Sequence, residues 1–256
     1  MVLCHYTFFD KPCFGGALRA DFAAVLGLCY YRVMRQFTLR VAEVAAWPGL
    51  VRVRCERAAP RFAPGQAGLA LARLPGQPFG RLPLYPFHGP AGDFEFCVAA
   101  PGHPYAALAP GDEVDMLGPL GHGFVLPPHS MHLLLMAATP ARLFSLIYLA
   151  LECRLAVTML APAAAPCPAL PEQVELLRGP LTAELADWAD VIGLDLPEPG
   201  QVAQQIRGLR PGRPLGFIQA LANVPMPCGT GACQACWTET GQGRKLACVD
   251  GPVLQW

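Results

Sequence analysis

Cys228-Gly229-Thr230-Gly231-Ala232-Cys233-Gln234-Ala235-Cys236, followed by Cys248-Val249-Asp250-Gly251-Pro252-Val253, are the stretches whose reading decides the fold. Their four thiols are spaced C-x4-C-x2-C-x11-C. A C-x4-C-x2-C run with a more distant fourth cysteine is the ligand pattern of plant-type [2Fe–2S] clusters. Residues between the first two ligands must let the backbone wrap closely, so they need φ > 0 and little bulk; Gly229-Thr230-Gly231-Ala232 provides both. Such a loop aims N–H groups at cluster sulfurs, which raises the reduction potential. Between Cys236 and Cys248, Trp237–Thr240 and Arg244–Ala247 flank a glycine-containing turn, and the pattern predicts a β-hairpin that returns Cys248 to the side of Cys236. A zinc knuckle is the alternative for the same thiols, but zinc sites commonly pair two knuckles and only Cys233/Cys236 make one here.

Working outward, the other seven of eleven cysteines are scattered between Cys4 and Cys167 without CxxC spacing, as reduced, buried thiols are. The chain has 256 residues, 53% hydrophobic and 15% charged, which excludes disorder. Nineteen basic and nineteen acidic residues leave no net field for a nucleic acid. Mean hydropathy is +0.34, yet the most apolar stretch, Met131–Leu160, is broken by Arg142, Glu152 and Arg154, so no membrane span is predicted. Phe22–Tyr31 lacks the basic flank and cleavage site of an export signal, and a cytoplasmic protein is expected. Residues 1–35 read as an extension ahead of the first strand, or as an upstream start. Gly and Pro together supply 54 residues, which argues for many short elements joined by turns.

The cluster segment closely resembles the C-terminal motif of the electron-transfer subunit of class 1B dihydroorotate dehydrogenase; the Cys-x-Asp-Gly-Pro-Val ending is more specific than the cysteine spacing. Upstream, Gly111-Asp112-Glu113-Val114-Asp115-Met116-Leu117-Gly118-Pro119-Leu120-Gly121-His122-Gly123-Phe124 resembles the same family's Gly-Asp…Gly-Pro-Leu-Gly-x-Gly-Phe segment. The resemblance implies a ferredoxin-reductase-like flavoprotein: an antiparallel β-barrel for FAD, an α/β domain for NAD, and a C-terminal [2Fe–2S] lobe. It also implies a partner oxidoreductase subunit, a flavin-bearing dihydroorotate dehydrogenase catalytic subunit, in a hetero-oligomer.

Pattern agrees with that order. Phe37–Val44, Leu50–Glu56 and Phe94–Val98 alternate as barrel strands do, with turns and corners from Pro60 to Gly92. Beyond Pro128, His132–Ala137 suits a buried strand, Pro140–Glu152 a helix and Leu155–Leu160 a second buried strand, which together make a βαβ unit. The expectation is an α+β, multi-lobe chain: a β-barrel over 36–127, a reduced α/β Rossmann-like lobe over 128–215, and the cluster lobe over 216–256.

The departures from the family bear on function. The glycine-rich first βα turn, where backbone approaches a pyrophosphate, reads Ala137-Ala138-Thr139-Pro140-Ala141, so NAD binding in the family manner is not expected. Val191-Ile192-Gly193-Leu194-Asp195 stands where the family has Cys-Gly-Pro. The flavin-lining Arg-Pro-x-Ser appears as Arg81-Leu82-Pro83-Leu84-Tyr85, and Gly-x-Gly-Thr as Gly102-His103-Pro104-Tyr105. Arg81, Pro83, Leu84, Tyr85, Gly102 and Tyr105 are therefore the candidate FAD residues, and whether Tyr85 and Tyr105 stack on flavin or only pack loops stays open. No catalytic residue is assigned, and His122 reads as a turn residue. The expected function is an electron-transfer component, with or without FAD, rather than a stand-alone enzyme; the alternatives are a cluster-bearing docking or assembly module and a zinc-stabilised binding protein.

Overall fold

The computed structural model describes residues 34–56, 60–72, 74, 80–89, 93–163 and 170–256. The expected extension, but for its last two residues, lies outside them.

The first lobe is a curled antiparallel sheet. Its strands are β1 (Arg35–Trp47), β2 (Leu50–Cys55), β3 (Ala67–Ala72), β4 (Leu82–Leu84), β5 (Phe87–His88), β6 (Phe94–Ala99) and β7 (Glu113–Leu120), in the order β4-β3-β7-β1-β2-β6-β5. Its edges, β4 and β5, are joined by Tyr85-Pro86 alone, a link of at most about 10 Å, so the sheet must curl until they nearly meet. The inward face carries Leu39, Val41, Val53, Phe96, Val114 and Met116, all fully buried. The strands expected from alternation are present as β1, β2 and β6. The turn-rich stretch from Pro60 to Gly92 also holds three strands, β3, β4 and β5. Strand β3, Ala-Gly-Leu-Ala-Leu-Ala, carries no β-branched residue, and at Gly68 it approaches β7 closely. A Cβ on Gly118 would sit 3.2 Å from the Gly68 backbone, and one on Gly68 would strike the Met116 side chain.

The second lobe is a doubly wound sheet. It contains β8 (His132–Ala137), β9 (Ala156–Ala161), β10 (Val174–Arg178), β11 (Val191–Asp195), β12 (Ile218–Leu221) and β15 (Val253–Gln255), in the order β10-β9-β8-β11-β12-β15. All pairings are parallel except β12 with β15. Strand direction of travel reverses between β8 and β11, which makes their carboxyl ends the topological switch point. Helix α1 (Phe144–Glu152) packs on one face with Leu133 and Leu135; α2 (Ala183–Trp188) and α3 (Pro199–Leu209) pack on the other with Leu134, Ile192 and Ile218. The helix expected from Pro140 begins at Phe144, because Pro140 first closes a turn in which the Leu143 N–H donates to its carbonyl at 2.8 Å. No helix among the described residues is long and apolar enough to cross a membrane.

The cluster segment leaves the sheet after β12 and rejoins it as β15, so both its ends are stitched into the second lobe. It is also clasped to the first. The His122 N–H donates to the Gly251 carbonyl, and the Val253 N–H donates to the His122 carbonyl at 3.3 Å, a parallel bridge that joins the two sequence motifs to each other. Gly121 has φ +56, and a Cβ on it would run into the Gly251 carbonyl. Phe124, 5% exposed, lies over Gly65 and Gly193, one from each lobe. Gly121→Ala should therefore cost about 2–3 kcal/mol through strain at positive φ and backbone collision. Denaturant unfolding checks this; a change below about 0.5 kcal/mol, as at an ordinary surface site, would show the clasp to be dispensable.

Candidate metal centre

After β12 the chain runs through Met226, buried in the core shared by both lobes, into the loop that carries the first three cysteines. Gly229 has φ +70 and Gly231 φ +78; a Cβ on Gly229 would press on Leu69 of β3 at 2.9 Å, and one on Gly231 on Val249 at the same distance. The glycines are thus fixed by close approach as well as by conformation. The expected hairpin is present as β13 (Trp237–Thr240) and β14 (Gly243–Leu246), with Trp237 opposite Leu246 and a two-residue turn at Gly241-Gln242. Past it, the Ala247 N–H donates to the Cys236 carbonyl at 3.0 Å, which returns Cys248 to the side of Cys236. The Asp250 carboxylate accepts the Leu246 N–H at 2.7 Å and closes the turn.

The sulfurs fall into two pairs: Cys228 and Cys233 lie 3.2 Å apart, Cys236 and Cys248 3.3 Å apart. Neither separation is a disulfide, whose sulfurs are about 2.05 Å apart. Among the described residues, no three His, Cys, Asp or Glu side chains converge on one point. A tetrahedral zinc would draw all four sulfurs within about 3.8 Å of one another, given Zn–S bonds near 2.3 Å. Two pairs instead suit two metal ions sharing bridging sulfides, each ion taking two protein thiolates. The pairs also differ in setting. Cys236 and Cys248 are 1% and 3% exposed, whereas Cys228 is half-buried and Cys233 exposed. The Cys233 and Thr230 N–H groups, the latter 3.5 Å from the Cys228 sulfur, hold that thiol down to about 6, which favours its thiolate form as a metal ligand. Burial, reinforced by the neighbouring Cys236, pushes the Cys248 thiol up to about 12; metal binding must release that proton. Burial likewise raises Cys55 and Cys97 to about 12, which leaves these two as inert core thiols.

Residues 223–256 match the family described as the iron-sulfur cluster binding domain of dihydroorotate dehydrogenase B. That segment is a [2Fe–2S]-binding domain. The rest of the chain is alike in fold to solved reductases. An NADH-dependent reduced ferredoxin-NADP oxidoreductase, described in a study of flavin-based electron bifurcation, is 20% identical with a TM-score of 0.65 over 85% of this chain and 87% of that one. Phthalate dioxygenase reductase, described as a modular structure for electron transfer from pyridine nucleotides to [2Fe-2S], is 11% identical with a TM-score of 0.54 over 80% and 86%. The flavohem-like FAD/NAD binding domain of nitric oxide dioxygenase from Vibrio cholerae O1 biovar El Tor is 16% identical with a TM-score of 0.53 over 72% and 96%. At these identities the likeness is one of fold, and the fold is ferredoxin-reductase-like. No curated protein matches the sequence.

The six residues expected to face FAD take the following places in the structure. Arg81 pairs with the Asp115 carboxylate at 2.6 Å and donates to the carbonyls of Leu69 and Asp115 at 3.2 and 3.1 Å, so it staples β3 to β7. Pro83 and Leu84 belong to β4, with Leu84 2% exposed in the barrel core. Tyr105 is 1% exposed and its hydroxyl donates to the Ala70 carbonyl at 2.6 Å. Gly102, φ +121, borders open space. Tyr85 is buried at the junction of the two lobes beneath the Arg142 guanidinium, 5.3 Å from its ring centre. Sequence reasoning missed Arg142 and its partner Asp195. A charged residue ending a buried parallel strand was the available signal, since that is where α/β sheets bind ligands.

Cys233→Ser should remove the iron and labile sulfide while leaving the fold in place, because an exposed site changes stability by only about 0.5 kcal/mol. Metal analysis beside far-ultraviolet circular dichroism checks this; unchanged iron and sulfide would exclude Cys233 as a ligand.

Proposed function

We propose that this [2Fe–2S] electron-transfer subunit relays electrons to or from a flavin-bearing catalytic subunit of the dihydroorotate dehydrogenase type, in a hetero-oligomer. The observation that carries the reading is the two-plus-two arrangement of thiols in a segment that matches that enzyme's cluster-binding domain. A cluster bound there supplies one-electron chemistry, while the protein supplies ligation, orientation and access.

Each part of the chain has a task in that relay. Cys236 and Cys248 anchor the inner half in the core common to both lobes, so the centre is held rigidly. Cys228 and Cys233 present the outer half to the surface, where a partner can approach. The N–H groups of the glycine loop offset thiolate charge. Against the cysteine loop stands Val249, 43% exposed, and directly after Cys236 comes Trp237, 45% exposed with the Arg244 guanidinium stacked 4.1 Å above its ring. Large, partly rigid aromatic groups of this kind anchor protein interfaces. Cys55 and Cys97 are reduced thiols in the core and the four cysteines of the cluster segment are reduced thiols as well, which suits a reducing compartment, and we propose the cytoplasm.

The test is transfer between separately purified subunits. Anaerobic protein should be brown and bleached by dithionite, and mixing the reduced form with the oxidised catalytic subunit should restore its colour as the partner flavin is reduced. Trp237→Glu should leave the spectrum unchanged and weaken association about thirtyfold, the effect of losing a hot spot of about 2 kcal/mol. Colour that fails to return on mixing would contradict the assigned partner.

A further inference from the structure

The switch point of the second lobe, between the carboxyl ends of β8 and β11, is the crevice in which open α/β sheets hold their ligands. Ala137 and Asp195 stand opposite each other there. In this chain the crevice is filled from within. Asp195, its side chain 6% exposed, takes both ends of the Arg142 guanidinium, with Nε at 3.1 Å from Oδ2 and Nη2 on Oδ1. Tyr85, from the link between the two barrel edges, closes over the guanidinium from the other lobe. Three side chains, one from the barrel and two from the sheet, thus make a plug where the two lobes meet.

Around the plug, several of the backbone groups that would meet a pyrophosphate are also occupied. In the first βα turn Pro140 has no N–H, and the Ala141 and Leu143 N–H groups donate to Thr139 Oγ1 and the Pro140 carbonyl at 3.4 and 2.8 Å. In the barrel, the 3-10 turn Pro104–Ala107 opens on another proline. His103 Nδ1 accepts the Tyr105 N–H at 3.2 Å, and the His103 carbonyl accepts the Ala106 N–H at 2.9 Å. Arg81, the remaining candidate phosphate cation, is neutralised by Asp115. Anion capture at a helix start needs free N–H groups aimed outward, and at both places a proline and internal bonds remove part of that set.

We infer that the flavin and nicotinamide clefts of this reductase fold have been closed by the protein's own side chains, and that the [2Fe–2S] cluster is its sole redox centre. The residues present do not fit either dinucleotide. A pyridine nucleotide gives up a hydride, two electrons with a proton, and a flavin is the group that divides such a pair into single electrons. With neither bound, the electron donor must be a one-electron carrier protein, and each electron taken from it is passed singly to the partner flavin.

This inference rests on the cluster assignment, and one sample separates the two. Anaerobically purified protein is assayed for iron, labile sulfide and acid-released flavin, then titrated with FAD, NADH and NADPH while the melting temperature and visible spectrum are followed. The expected result is iron and sulfide in equal amounts, no stoichiometric flavin, no shift with any of the three, and bleaching by dithionite but not by either nicotinamide. Stoichiometric flavin, saturable FAD binding, or bleaching by NADH or NADPH would overturn the inference and leave the cluster standing. Missing iron and sulfide would defeat the cluster instead, while the same titrations on that sample would still decide whether the clefts are closed.

Discussion

In the proposed centre four sulfurs have to reach two irons from one loop and one hairpin, and most of what is distinctive in this chain follows from that demand. The loop can turn tightly only where Gly229 and Gly231 adopt positive φ, and each also leaves no room for a side chain against Leu69 or Val249. The hairpin must end at a set height above Cys236, and the Asp250 carboxylate fixes that end by accepting the Leu246 N–H. The inner pair of thiols is sealed in apolar surroundings while the outer pair meets solvent. A cluster held this way is rigid on one side and reachable on the other, as single-electron exchange between proteins requires.

Such a loop would be a weak platform on its own. Its two ends are therefore built into the larger fold, β12 and β15 pairing at the margin of the second lobe and Gly251 lying backbone to backbone against Gly121. The apolar core is continuous through this clasp: Leu69 and Leu120 of the barrel, Leu133 of the sheet, and Ala247 and Cys248 of the cluster segment belong to one buried set. Burial of that shared core, more than any single bond, orients the cluster relative to the lobes, because apolar contact is the largest favourable contribution in folding.

The cluster segment was legible in the sequence almost residue by residue, since cysteine spacing, glycine placement and the hairpin are local features that chemistry dictates directly. The βα alternation after Pro128 was legible for the same reason. What escaped was non-local. Strand β3 is made of Ala, Gly and Leu, and its identity as a strand comes from the close approach of β7, which composition does not reveal. Tyr85, Arg142 and Asp195 stand far apart in the chain, so nothing short of the fold could show that they meet. From the sequence Tyr105 could stack on flavin or pack a loop, and only the fold shows its hydroxyl donating to the Ala70 carbonyl in the barrel core.

The scaffold is thus ferredoxin-reductase-like in fold, with the cluster-binding segment at its carboxyl end. The most direct test of the central claim is iron K-edge X-ray absorption on the oxidised protein. The account predicts a first shell made only of sulfur together with an iron–iron scattering path, from two metals that share sulfides between the Cys228/Cys233 and Cys236/Cys248 pairs. A sulfur shell with no metal–metal path, or the same shell found at the zinc edge, would contradict it.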